Sequence, residues 1–476
     1  MLPIVQLPEI ISHYSPHFKE VFSEGEYEHF KKYLSGLIVS ENKTIEAINR
    51  LFVLDVQNQS SLNRFLTHSK YRIAALHRKR LDLLNSQAET KLKSMGAHGG
   101  VLGLDDTLLT HYGREFEGLT KLFDHSTQTY VWAHNLVNLH YSDDQTDYPI
   151  SFELWKPVEI EALEKGLRDS GVKIKEKKEP LKVSEPEKWR NYLLYLYRKN
   201  QQKECVRKAY RSKIIIGQDL LRDFFNEYPN EDLPISFDKW FTSPSFCKFI
   251  DQDLKKSYVG GLKSDEALLL AGSVKITVGD FVKRLKEQHL ELKSSQNPKS
   301  VFVKTTINYK GKKEVFYNYC QVHHISGYGR QNLLISHQKE DLSDTARVFI
   351  SNRLNWRVQH MTKVGRHRWP VEEYHKESKA EGLDQYQVRN FEAIEKHIAM
   401  VALVYSLLKH ARYDSVLLNT LQTQLDKNIK GSLATWRRTT QAQVLWGLVL
   451  WIEEALRQGD SLEKIMKTLL PAFNLG

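Results

Sequence analysis

The sequence predicts an α/β core that carries a β-rich insertion, flanked by all-α regions at both ends. Three observations predict it. Over residues 1–96 the apolar positions recur at helical spacing, as in Ile45, Ile48 and Leu51. Gly99-Gly100 breaks that pattern, and aromatic and β-branched runs separated by polar turns follow. From Pro370 onward helical spacing returns, through Ile394, Ile398, Val401 and Leu408.

Taken in order, Tyr27–Ile38 and Lys43–Phe52 are helices, and Val53–Gln59 is a turn. Ser60 or Ser61 caps a helix over Leu62–His68, because a serine oxygen accepts a free first-turn N–H. A long helix covers Lys70–Lys93. Val101–Asp106, Tyr130–Tyr141 and Tyr148–Trp155 are strands of an antiparallel meander. Lys173–Pro186 is a charge-rich exposed loop, followed by helices at Glu187–Ala209 and Ile216–Tyr228. A short strand, Leu233–Phe237, ends at Asp238. Beyond it come a helix at Ser243–Leu254, a strand at Ser257–Leu262 and a β-hairpin turning at Lys310-Gly311-Lys312. Leu333–His337 is a strand, Ser343–Gly365 is read as helical, and Ser415–Phe473 is amphipathic helix.

The chain has 476 residues and a net charge of +11, which suits a polyanionic partner or a mildly basic enzyme. With 41% hydrophobic and 27% charged residues the composition is globular, so wholesale disorder is excluded. Apolar runs such as His397–Leu408 are too short for a membrane span of about 20 residues. Met1–Tyr14 lacks the build of a signal peptide, and Cys205, Cys247 and Cys320 form neither a disulfide framework nor a zinc motif. A reducing, cytoplasmic location is expected.

The basic residues are not spread evenly. Arg64 lies on the second of two short helices joined by a tight turn, and Lys70, Arg72, Arg78, Lys79, Arg80, Lys91 and Lys93 follow it, against only Asp82 and Glu89. Most charge runs are solvated helical faces. The turn-helix spacing resembles a helix-turn-helix and favours DNA contact by Arg64, Lys70, Arg72, Arg78 and Arg80.

The segment Arg366–Lys379 carries the most chemistry. Pro370 fits the first helical position, and Glu372 then sits in the first turn, where the helix dipole favours a carboxylate. Glu372, His375, Lys376 and Lys379 share one helical face. A carboxylate beside lysines, preceded by Arg366 and Arg368, suits a metal-bound phosphodiester: the acid holds the cation and the bases hold phosphate oxygens. Asp106 (or Asp105) and Asp238 each lie at the carboxyl end of a core strand. Three such carboxylates are what two hard cations require.

Strand order and acid order together resemble the RNase H-like DDE transposases of bacterial insertion sequences, in the cut-and-paste group with a β-rich insertion between its second and third acids. Asp105-Asp106-Thr107 matches the group's acidic-Asp-Thr segment. Arg368, Glu372 and Lys379 keep the spacing of its Tyr-x2-Arg-x3-Glu-x6-Lys signature, with Gly365 at the tyrosine position. The resemblance covers about residues 100–410. It implies catalytic and metal-binding roles for Asp106, taken in preference to Asp105, and for Asp238 and Glu372, with two Mg2+ or Mn2+ ions. DNA contacts are implied for Arg366, Arg368, Lys376 and Lys379. It implies binding of transposon-end inverted repeats, cleavage, joining of 3′-OH ends to target DNA, and a homodimer on DNA in the bacterial nucleoid. The expected divisions are a helical DNA-binding region 1–96, a catalytic core 97–255 and 366–410, an insertion 256–365, and a helical region 411–476.

Overall fold

The computed structural model describes residues 2–55, 59–94, 99–176, 185–270, 274–294 and 300–473. Helices α1 (Glu9–Tyr14), α2 (Glu24–Val39), α3 (Ile45–Leu51), α4 (Gln59–Thr67) and α5 (Ile73–Asn85) precede strands β1 (Val101–Thr110), β2 (Thr120–Asp124), β3 (Thr129–Ser142) and β4 (Asp147–Trp155). Helices α6 (Ile160–Asp169), α7 (Glu185–Asn200), α8 (Glu204–Ala209) and α9 (Lys213–Glu227) lead to strand β5 (Ile235–Phe237), helix α10 (Pro244–Lys248) and strand β6 (Tyr258–Gly261). Strands β7 (Ala267–Leu269) and β8 (Lys275–Thr277), helix α11 (Val278–Ser294), and strands β9 (Val303–Tyr309), β10 (Lys312–Ile325), β11 (Gly329–His337) and β12 (Arg347–Ser351) come next. The remaining helices are α12 (Val358–Arg366), α13 (Trp369–Ala380), α14 (Phe391–His410), α15 (Ser415–Leu425), α16 (Leu433–Arg457) and α17 (Leu462–Leu469).

One mixed sheet runs through the protein. β1 pairs antiparallel with β3 and parallel with β5, and β5 pairs parallel with β6. β6 passes the sheet to β12, β11 and β10, so the strands after residue 256 extend the core sheet without a break. Helices lie on both faces: α9 packs on Leu104 of β1, and α13 on Gly103 of the same strand. This architecture is compatible with an RNase H-like core.

Several elements differ from the sequence reading. β2, α6 and α11 are additional. Glu187–Ala209 is broken into α7 and α8. Ser343–Gly365, read as helical, begins with β12, whose Leu334↔Phe349 and Leu333↔Ile350 pairings place it against the buried β11. The long helix from Lys70 stops at Asn85, because Thr90 Oγ1 and Asn85 Oδ1 turn the chain back onto itself. Ser60 and Ser61 lie inside α4. The turn before α4 lies partly, and the loop Lys173–Pro186 mostly, outside the described residues. The expected hairpin is present: Lys310 (φ 48°) and Gly311 (φ 77°) take the left-handed conformations of a two-residue type I′ turn.

The N-terminal helices share a core with the C-terminal ones. Phe30, Leu37, Leu62 and Phe65 pack with Ile398, Val401, Tyr405 and Trp436 in one buried cluster. The boundary expected near residue 96 therefore does not divide the hydrophobic core.

Arg80 corrects one expected DNA contact. It is 1% exposed, and its guanidinium donates to the carbonyls of Pro149 and Ile150 and to Ser406 Oγ at 3.0 Å. It fastens α5 to β4 and α14 and has no open face for a phosphate. Arg80→Met is expected to cost about 3 kcal/mol of stability, because the β4 carbonyls lose a buried charged donor. DNA affinity per folded molecule should be unchanged, and thermal melting with a binding titration reads both.

A buried ionic cluster joins the β9–β10 hairpin to β4 and α14. Asp147, at the start of β4, accepts from Lys310 Nζ at 3.0 Å, Lys409 Nζ at 3.1 Å and Tyr405 OH at 2.7 Å. Asp144, in the preceding turn, accepts from Lys363 Nζ at 2.5 Å. One β-turn thus holds the hairpin, α12 and α14 in place, and α12 leads directly into α13.

Candidate active site

Three separate elements deliver acids to one place. β1 supplies Asp105 at mid-strand. β5 ends at Phe237, level with Leu104 of β1, so Asp238 follows beside Asp105. α13 supplies Glu372 in its first turn, two residues after Pro370. The helix closes with a Schellman pattern: Gly382 N–H reaches Lys379 O and Leu383 N–H reaches Ser378 O. Gly382 takes φ +98°, and a Cβ there would meet Lys43 Cγ at 2.7 Å.

Arg368, at the N-cap of α13, stands at the focus. Its Nη1 donates to Asp105 Oδ2 at 2.7 Å and its Nη2 to Glu372 Oε1 at 2.5 Å. The charges of Asp105, Glu372 and Asp238 hold the guanidinium more firmly protonated than usual, against the opposing effect of burial. Burial raises the Asp105 carboxyl to about 7; Arg368 opposes this, while the charges of Asp106 and Asp238 add to it. Three carboxylates, Asp105, Asp238 and Glu372, thus act on this one arginine.

Asp106 is placed elsewhere. Successive residues of a strand face opposite sides, so Asp106 points to the α9 face with Leu104. There it accepts from Asn135 Nδ2 at 2.6 Å and pairs with Lys213 Nζ at 2.9 Å. Asp105 takes the place expected of Asp106 among the acids. Among the described residues, no three of His, Cys, Asp and Glu stand close enough to enclose a metal ion as the side chains lie. The carboxylates converge on Arg368.

The basic residues divide. Lys376 is exposed and Lys379 half-buried on α13. Arg366 is engaged by Glu314 at 2.9 Å and lies 4.2 Å above the Tyr309 ring. His375 is buried, accepts from Asn138 Nδ2 at 2.9 Å and is pushed down to about 3 by burial, so it packs α13 onto β3 as a neutral ring. Arg64 on α4, Lys70 and Arg72 in the connection to α5, and Arg78 on α5 are exposed.

A cleft of about 910 Å³ opens beside the acids. Asp238, Lys239, Trp240, Lys263, Arg347 and Trp369 line it. Trp240 is 51% exposed, and the Lys263 ammonium lies 5.2 Å from its ring. Lys239-Trp240-Phe241 forms a turn at the cleft mouth and leads into α10. Gly261 lets β6 run close by: a Cβ there would meet Lys239 N at 3.0 Å.

A family model described as DDE superfamily endonuclease matches residues 17–276, more than half of the chain. The match includes Asp105, Asp106 and Asp238, and Glu372 lies beyond it. No curated protein matches the chain. Among the described residues no helix is long and apolar enough to cross a membrane.

Proposed function

The chain belongs to the DDE superfamily endonuclease family, and from that premise we propose that it is a cut-and-paste DNA transposase with Asp105, Asp238 and Glu372 as its acids. The observation that carries this reading is the meeting of β1, the end of β5 and the start of α13 around one arginine. The substrate is DNA bearing terminal inverted repeats, cleaved at the element's ends and joined through its 3′-OH groups to target DNA.

The donor set fits two Mg2+ or Mn2+ ions, because carboxylate oxygens are the hard ligands those cations take and three of them meet at Arg368. Asp105, Asp238 and Glu372 would hold them. Such ions supply an activated water and stabilise the departing oxygen of a phosphodiester. Arg368 must release Asp105 and Glu372 for this, and a DNA phosphate is the anion that takes its bidentate fork in exchange. Lys376 and Lys379, one and two turns beyond Glu372, hold backbone phosphates, which positions DNA without reading its sequence. Arg64, Lys70, Arg72 and Arg78 supply contacts to the terminal repeats. Asp106, tied to Lys213 and Asn135, keeps β1 in place behind Asp105.

The test is incubation with a plasmid carrying the flanking terminal repeats, Mg2+ and a second, target plasmid. Excision at the repeat boundaries with insertion into the target is the expected result. Cleavage without joining would make the protein a nuclease, and binding alone an inactive relative.

A homodimer on DNA belongs to the same reading. Leu445, Trp446, Val449 and Leu450 form an apolar stripe on α16, each 45–51% exposed. Such a stripe is an interaction surface by default. Trp446→Glu with Leu450→Glu is expected to leave the fold intact and to halve the mass of the DNA complex in light scattering.

A further inference from the structure

We propose that the exposed face of α7 is a second DNA-backbone surface, which takes duplex beside the cleaved site. This rests on the DNA-cleaving reading and extends it to a part of the chain with no assigned role. Helices α6, α7 and α8 leave the sheet after β4 and return at α9. They enclose a small core of their own, with Leu163, Leu167, Leu193, Tyr197 and Val206 buried. A unit that packs on itself in this way needs no charge on its outer face for folding.

The charge there is nevertheless one-sided. Residues 185–213 contain nine Lys and Arg against three Glu, a net of +6 in a chain whose total is +11. Five of the nine anchor the unit or pair locally, and of these Lys203 Nζ donates to Ser170 O at 2.9 Å. Arg207 and Arg211 bond Asp219, Arg211 also bonds Glu153 of β4, Lys213 bonds Asp106 of β1, and Lys208 pairs with Glu204. The other four are Lys188, Arg190, Arg198 and Lys199, all exposed. No carboxylate of the described residues lies within 4 Å of any of these four cations.

Lys188, Asn191, Tyr195, Arg198 and Lys199 fall on one stripe of α7, by their spacing. Tyr195 is 50% exposed, with the Lys199 ammonium 4.4 Å from its ring. From Lys188 to Lys199 the helix rises about 16 Å, roughly five base pairs of duplex at 3.4 Å each. An ordinary solvated face mixes both signs and forms i,i+4 pairs; here Glu187, at the N-terminal edge of the stripe, is the one described acid, and it pairs with none of these cations. It lacks the broad apolar centre that a protein partner requires. The occupant that fits is a regular line of phosphates. Lys213 fixes this unit to the residue beside Asp105, so DNA on α7 is held in a set position relative to the acids.

The test uses the full chain carrying Lys188→Glu, Arg198→Glu and Lys199→Glu, titrated with a labelled 30-base-pair duplex of arbitrary sequence across a salt series. Loss of three contacts should make the log K against log salt slope shallower by about 3, and weaken binding about a hundredfold at 0.1 M salt. A control carrying Lys427→Glu, Lys430→Glu and Lys467→Glu has the same net charge and should bind within threefold of the parent. The Gln versions of the three α7 changes should give a smaller shift in the same direction, with unchanged melting. An α7 variant with the parent's slope and affinity, or a control that loses as much, overturns the proposal. A parent that binds no duplex at all would sink the DNA reading itself, which is a separate result.

Discussion

Asp105→Asn should reduce DNA cleavage at least a thousandfold while leaving DNA binding intact. Asp238→Asn and Glu372→Gln should do the same. A thousandfold is about 4 kcal/mol of transition-state stabilisation, what loss of a ligand to a catalytic cation removes. The informative comparison is with Asp106→Asn. Asp106 faces α9 and is bound by Lys213 and Asn135, so its neutral replacement should reduce cleavage less than about tenfold, a supporting effect of about 1 kcal/mol. Single-turnover cleavage of a labelled end duplex by the four variants separates the two aspartates. Equal losses at both positions, or a larger one at Asp106, would show that β1 presents its other face to the substrate.

Asp147→Asn should destabilise the whole protein by about 3–5 kcal/mol, the range for removing one partner of a buried charge cluster. Lys310 and Lys409 would then be left in a buried place without their carboxylate. Burial by itself would raise the Asp147 pKa, but Lys409 first, then Lys310 and His140, hold it well below the ordinary value. A depressed folded-state pKa gives stability that is present above the unfolded value near 3.9 and is lost as pH falls through the folded one. The parent should therefore lose stability in acid more steeply than Asp147→Asn does. Chemical denaturation from pH 7 down to pH 3 measures this. A variant as stable as the parent at pH 7 would show that the cluster does not hold the hairpin. Because the same turn binds Lys363 of α12, the variant should also cleave more slowly per folded molecule.

The Glu372 segment was legible because its signals are local. Pro370 sets the helix start, and spacing alone puts Glu372, Lys376 and Lys379 on one face. The type I′ hairpin at Lys310-Gly311 was legible for the same reason. The choice between Asp105 and Asp106 was not. Val101-Leu102-Gly103-Leu104 shows no alternation of apolar and polar residues, because both faces of β1 are covered, and a strand buried on both sides hides its parity. Only the registers Leu104↔Phe237 and Asp105↔Asn138 settle which side each residue takes. Arg80 misled for a related reason: it sits in a run of exposed basic residues, and nothing in that run reveals that two β4 carbonyls lie within its reach. β12 was hidden because a five-residue strand owes its form to β11 and β6 on either side.

In the proposed mechanism Asp105, Asp238 and Glu372 together hold divalent cations once Arg368 gives way to DNA. Anomalous scattering from crystals grown with Mn2+ and a cleaved end duplex tests it most directly. The expected result is manganese bound by those three carboxylates, with the Arg368 guanidinium turned onto a DNA phosphate. Manganese held by Asp106, or Arg368 still bridging Asp105 and Glu372 with DNA in place, would contradict it.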